Sequence, residues 1–135
     1  MKNDKPISFG ALIDAIHQVE TSGALDAPDG DGGRSIGPLQ ISKACYKDAK
    51  YEYFRCSRNT SWFSYEEVRN ISAARMVFYW YIFRWAKQQL YNLTLEDCEK
   101  ISRIWNGGPT GHRKKSTGPY WEKVKTALFN QKKCK

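Results

Sequence analysis

Val19-Glu20-Thr21-Ser22-Gly23, followed by Gly30-Asp31-Gly32-Gly33-Arg34-Ser35-Ile36-Gly37-Pro38-Leu39-Gln40-Ile41, is the stretch on which the reading of this chain turns. Upstream of it Phe9, Leu12, Ile13, Ile16 and Val19 recur at helical spacing. Ser8 can cap that helix and Gly23 can stop it, so the spacing predicts a first helix ending near Thr21. Glu20 then sits in its last turn, with His17 on roughly the same face. Asp29-Gly30-Asp31-Gly32-Gly33 is rich in turn formers, and residues 24–36 read as a loop or short hairpin. Gly37-Pro38 predicts a second helix with Pro at its first position, running through Leu39, Ile41 and Ala44.

Further on, residues 50–62 show no clear period and read as irregular. Ser64-Tyr65-Glu66-Glu67 has the form of a capping box. Behind it Val68, Ile71, Phe78, Ile82 and Trp85 form an apolar stripe, which predicts a long helix from about Tyr65 to Leu90. Thr94-Leu95-Glu96-Asp97 starts another helix, with Cys98, Ile101 and Trp105 expected inward and Asn106-Gly107-Gly108-Pro109 ending it. Gly118-Pro119 opens a last helix with Trp121, Val124 and Leu128 inward. The core is expected to include Leu12, Ile16, Phe78, Trp85 and Trp121. The expected class is α+β and predominantly helical, one domain over 1–135, with flexible termini at 1–7 and 130–135.

A chain of 135 residues fits one hydrophobic core. Its net charge of +8 favours polyanions, whether nucleic acid, anionic membranes or bacterial wall polymers. Arg113-Lys114-Lys115 and Lys132-Lys133 concentrate that charge, although such clusters are usually solvated loops or chain ends. The four cysteines, Cys45, Cys56, Cys98 and Cys134, have no zinc-ligand spacing. Two disulfides in a secreted protein are expected, with four free thiols as the alternative. Asn59, Asn70 and Asn92 open glycosylation sequons, a pattern short enough to arise by chance. The first six residues lack the apolar core of a leader, and no stretch is long enough to span a membrane. A secreted or extracellular protein whose leader has been removed is the expectation; a cytoplasmic protein, or one exported by another route, is the alternative. No metal and no cofactor is expected.

Glycoside hydrolysis needs two carboxylates about one glycosidic bond, one protonated and one ionised. Glu20 suits the first role, because the negative end of a helix dipole and apolar neighbours both favour the protonated acid. Spacing alone is equally met by an ordinary exposed glutamate. The second carboxylate comes from Asp26, Asp29 or Asp31, in a loop that fits no EF-hand pattern. The backbone amides of Asn106-Gly107-Gly108-Pro109 suit a sugar acetamido group, while a glycine helix cap accounts for the glycines without Asn106. One of Tyr120 and Trp121 is expected to line a groove.

These residues resemble the invertebrate-type (destabilase) lysozyme family. The likeness rests on the helix-ending Glu20, the Asp that follows it, Gly37-Pro38-Leu39-Gln40-Ile41, Arg103-Ile104-Trp105-Asn106-Gly107-Gly108-Pro109 and Tyr120-Trp121. It implies a lysozyme-like fold and cleavage of the β-1,4 link between N-acetylmuramic acid and N-acetylglucosamine. It also implies Glu20 as general acid, Asp31 as second carboxylate with Asp29 as fallback, and Gln40, Asn106, Gly107 and Tyr120 as substrate-binding residues. The partners it implies are peptidoglycan or a chitin-like oligosaccharide on an anionic bacterial surface, met by a monomer. Animal members are rich in cysteine where this chain has four, and Trp105 stands where His is usual. The Ser–Lys or Ser–His dyad of some members has no match here, and His112 reads as a surface histidine.

Soluble lytic transglycosylases share the Glu-Ser/Thr-x-Gly and Gly-x-x-Gln pattern but use one glutamate and leave a 1,6-anhydro product. An inactive lysozyme-like lectin is the binding-module alternative. For nucleic acid there is charge with scattered aromatics and no recognised motif, so no specific nucleic-acid partner is expected.

Overall fold

The computed structural model describes residues 5–133. In chain order the elements are α1 (Phe9–Thr21), β1 (Ser35–Ile36), β2 (Ile41–Ser42), α2 (Lys43–Cys56), α3 (Ile71–Ala86), α4 (Leu95–Gly107) and α5 (Gly118–Lys133), with short 3₁₀ turns between them. The fold is a predominantly helical α+β. Two compact units make up the chain, one from residues up to 19 together with those from 85 onward, the other from residues 20–84. Met1–Asp4 and Cys134–Lys135 lie outside the described residues, and with them part of the expectation of flexible termini.

In the first unit the Ser8 hydroxyl accepts the Ala11 N–H at 3.0 Å and so caps α1, as expected. Leu12, Ile13, Ala15 and Ile16 are its buried face. Ile7 and Leu93 exchange backbone hydrogen bonds of 2.8 and 2.9 Å just ahead of α4. Thr94 and Asp97 form the capping box of α4, which buries Cys98, Ile101, Ser102 and Ile104. Trp121, Val124 and Leu128 of α5 face inward, and Gln131 Nε2 donates to the Ala11 carbonyl of α1 at 3.0 Å.

In the second unit β1 and β2 form an antiparallel pair, Ser35 opposite Ser42 and Ile36 opposite Ile41. Ile36, Leu39, Ile41, Ala49, Val68, Val77, Phe78 and Ile82 build the core there. Glu52 is buried at its edge, ion-paired to Arg55 at 2.6 Å and to Arg84 at 3.3 Å.

Several expectations are corrected. Gly37-Pro38 does not start a helix. Gly37 and Gln40 both take positive φ, +80° and +53°, and the Gln40 N–H closes a four-residue turn on the Gly37 carbonyl at 3.0 Å. The helix begins instead at Lys43, because Ser42 accepts the Cys45 N–H and caps it. Residues 50–56, read as irregular, continue that helix. The Ser64–Glu67 box is present, but it caps only a 3₁₀ turn over Tyr65–Arg69. Asn70 is extended there, and its side chain accepts the Ser72 N–H at 2.9 Å, so α3 starts afresh at Ile71. Lys87, at φ +55°, ends it short of Leu90. Trp85 and Trp105 are half-buried rather than core.

Among the described residues no disulfide is formed: Cys45, Cys56 and Cys98 are free thiols, and Cys134 lies outside the described residues. Cys45 and Cys56 share α2, where eleven residues of rise hold them about 16 Å apart, far beyond bridging distance. Cys98 is fully buried in α4, and burial pushes its thiol up to about 12. No helix among the described residues is long and apolar enough to cross a membrane.

Candidate active site

Glu20 is the penultimate residue of α1 and is half-buried. Ser22 and Gly23 then adopt left-handed φ of +56° and +78°, which stops the helix one residue after the carboxylate. Thr21 fixes that stop. Its hydroxyl donates to the Pro38 carbonyl at 2.8 Å, so the helix end that presents Glu20 is tied to the hairpin turn.

The loop bearing the aspartates is fastened to the same turn from the other side. Gly30 pairs with Ser35 through backbone bonds of 2.8 and 3.2 Å. The Gln40 amide donates to the Gly37 carbonyl at 3.0 Å and to the Pro28 carbonyl at 3.3 Å. It lies so close over Gly30 that any side chain at that position would overlap its Oε1. Gly37 in turn packs against the Val68 carbonyl, where its positive φ and lack of a side chain are both required. Tyr65 closes the hairpin by donating its hydroxyl to the Ile41 carbonyl at 2.7 Å.

The three aspartates have different surroundings. Asp29 is held by Arg69, whose guanidinium also meets Glu66 at 2.8 Å. The hydrogen bond from Arg69 holds the Asp29 carboxyl below its ordinary range. Asp31 follows Gly30 directly, at φ +52°; it is exposed, and among the described residues its carboxylate forms no ion pair. Asp26 is exposed two residues into the loop after Ala24.

Asn106, Gly107 and Tyr120 belong to the first unit, Glu20, Asp31 and Gln40 to the second. Asn106 is exposed at the end of α4, and Tyr120 is half-buried in the first turn of α5. Gly108, at φ +91°, caps α4 through its N–H to the Ile104 carbonyl at 2.9 Å. The segment that follows is knitted back by Arg103. Its guanidinium donates to Thr117 Oγ1 at 2.8 Å, to the Lys114 carbonyl at 2.7 Å and to Glu99 at 2.8 Å. Buried Thr117 donates to the Gly111 carbonyl at 2.7 Å, and Lys114 Nζ donates to the Gly107 carbonyl at 2.7 Å. His112 is half-buried within this segment rather than on the open surface; desolvation and the charges of Arg113, Lys100 and Arg103 lower its pKa.

Sequence reading missed Thr21, Arg69 and Thr117 as organisers, and it placed Arg103 only within a motif. Each acts on a partner at least eleven positions away, so no periodicity or local spacing announces it. Among the described residues no group of three or more His, Cys, Asp or Glu side chains could hold a metal ion.

The helical frame, the small hairpin after the first helix and the glutamate at that helix's end together define a lysozyme-like fold. At the level of sequence, neither a family model nor a curated protein matches the chain. Among solved structures it is similar to inhibitor-bound lysozyme from Meretrix lusoria, with 26% identity, a TM-score of 0.64, and coverage of 86% of this chain and 87% of that one. It is also similar to a chain of the complex of Aeromonas hydrophila PliI with Meretrix lusoria lysozyme, at 25% identity and TM-score 0.64, covering 89% and 92%.

Proposed function

We propose that this chain is a peptidoglycan-cleaving glycosidase, a muramidase acting on the β-1,4 link between N-acetylmuramic acid and N-acetylglucosamine. Glu20 protonates the leaving oxygen and Asp31 attacks or stabilises the sugar cation. The observation that carries this reading is the shared anchoring of the two carboxylate-bearing segments. Thr21, next to Glu20, bonds Pro38, and Gly30, next to Asp31, packs on Gln40, so one four-residue turn sets both. Catalysis by two acidic groups depends on such fixed placement.

The choice of Asp31 over Asp29 rests on charge. Asp29 is engaged by Arg69, whereas Asp31 is exposed and, among the described residues, has no ion pair. The similarity to a lysozyme structure supports the same class of chemistry. Gln40, Asn106, Gly107 and Tyr120 are the proposed sugar contacts, and the protein is proposed to act outside the cell on bacterial walls.

The test is product analysis of purified peptidoglycan digested by wild type and by Glu20→Gln. Hydrolysed reducing ends from wild type, with the variant inactive, are expected. Anhydro ends would replace the hydrolase by a transglycosylase, and no cleavage by wild type would leave a glycan-binding protein.

A further inference from the structure

The outer face of α2 has a use that the proposed catalytic site does not absorb. Eight of its residues are exposed: Lys43, Ala44, Lys47, Lys50, Tyr51, Phe54, Arg55 and Cys56. Four of these are cationic and none is acidic. At about 100° per residue, Lys43, Lys47, Lys50 and Phe54 fall within an arc of about 60°, and the three lysines occupy about 10 Å of helix length. Their Cβ atoms form a single row one side chain wide, with steps of about 5–6 Å between neighbours.

The placement of these lysines runs against helix stability. Lys43 is the first residue of α2, and the first turn contains no acidic residue. A cation there meets the positive end of the helix dipole, and three like charges at i, i+4 and i+7 repel one another. Part of that is offset locally, because Lys43 Nζ lies 5.7 Å from the centre of the Tyr65 ring and Lys50 Nζ 5.9 Å from that of Tyr46. The acids of this helix are not on the line: Glu52 is buried with Arg55 and Arg84, and Asp48 is only half-exposed. A row of like charges that costs helix stability beyond this partial offset is the kind of local conflict found at functional or strained sites.

We propose that this face of α2 docks a linear polyanion, a base-free alditol-phosphate polymer of the kind that decorates bacterial walls. The argument is charge complementarity in shape as well as sign. One row of cations at a regular step matches a flexible chain with one phosphodiester per repeat. A flat anionic bilayer would be met by charges spread across a face rather than along a line. Docking of this kind gathers the protein on the wall through a surface separate from Glu20 and Asp31. It does not depend on the catalytic reading, since binding is measured without turnover.

The experiment is binding of intact wild-type protein to poly(glycerol phosphate), over a salt series, beside Lys43→Gln/Lys47→Gln/Lys50→Gln. Glutamine is a good helix former, so the variant should fold, and its circular dichroism and melting curve check this. A control with the same charge change, Lys87→Gln/Lys115→Gln/Lys123→Gln, removes three exposed lysines elsewhere. The α2 variant should lose about tenfold or more in affinity at low salt and the control under about threefold. The slope of log affinity against log salt should flatten by about 2 for the α2 variant, because each phosphate left without its lysine takes about 0.7 off that slope. Equal losses in the two variants would reduce the effect to net charge and overturn the proposal. So would tighter α2-dependent binding to single-stranded DNA or to anionic lipid vesicles than to the polymer. Turnover of a soluble chito-oligosaccharide should be the same in wild type and the α2 variant, which separates this surface from the catalytic reading.

Discussion

Arg69 grips Asp29 with both terminal nitrogens, Nη1 to Oδ1 at 2.6 Å and Nη2 to Oδ2 at 3.4 Å, across forty positions of sequence. The arginine sits just before the break at Asn70 that separates the 3₁₀ turn from α3. The loop that ends in Asp31 is therefore pinned two residues upstream of that carboxylate. This bond gives Asp29 a partner that Asp31 lacks among the described residues.

Asp31→Asn should remove nearly all wall lysis if Asp31 is the second carboxylate. Asp29→Asn should cost less, on the order of tenfold through misplacement of the loop. Arg69→Ala should cost at least as much as Asp29→Asn, because it also frees Glu66, and the double variant should be no worse than Arg69→Ala alone, since the Asp29 contact is already broken there. Steady-state kinetics on a soluble oligosaccharide measure this. Complete loss in Asp29→Asn with near-normal activity in Asp31→Asn would reverse the assignment.

Glu20→Gln should lower kcat by about 10²–10⁴, the usual contribution of a general acid, with an unchanged circular dichroism spectrum. More than a tenth of wild-type activity in that variant would remove Glu20 from the role.

Glu52 ties the second unit together at neutral pH and loses that hold in acid. The hydrogen bond from Arg55 is the largest influence holding its carboxyl below the ordinary 4.5, with Cys56 and Arg84 adding to it. A carboxylate with a depressed folded pKa contributes its full stability above the unfolded value and loses it as pH falls through the lowered folded value. Stability should therefore be steady above about pH 5 and fall in the acid range. Glu52→Gln should destabilise at neutral pH by roughly 1–2 kcal/mol, because its charge-assisted hydrogen bonds are lost while Arg55 and Arg84 keep access to solvent, and should flatten the acid limb of the curve. Urea titrations at several pH values report both effects.

Gly37→Ala should destabilise by about 1–2 kcal/mol from its left-handed backbone alone. Its methyl group would also overlap the Val68 carbonyl oxygen. Because the turn anchors the segments of Glu20 and Asp31, activity should fall further than stability does. Thermal melts and assays well below the melting temperature separate the two.

Much of the helical frame was legible because it follows from local rules. Ser8, Thr94 and Gly118-Pro119 mark helix starts, and the inward faces of α1 and α5 follow their apolar spacing. The hairpin turn was not legible. Pro38 suits a helix start as well as a turn, and the positive φ of Gln40 has no signature in that residue type. The long helix failed at Asn70, where the apolar stripe continues but the backbone does not. At the site, Glu20 could be picked out by its place at a helix end. Among the loop acids the resemblance points to Asp31 with Asp29 as fallback, while the bond of Asp29 to Arg69, across forty positions, leaves no local trace.

The free state of Cys45, Cys56 and Cys98 means that the described fold is closed by packing and hydrogen bonds rather than by covalent links. Refolding of unfolded chains should therefore need no oxidation step and should proceed in the presence of thiols. Lysis of walls should persist in dithiothreitol at concentrations that open the bridges of cysteine-dense secreted proteins.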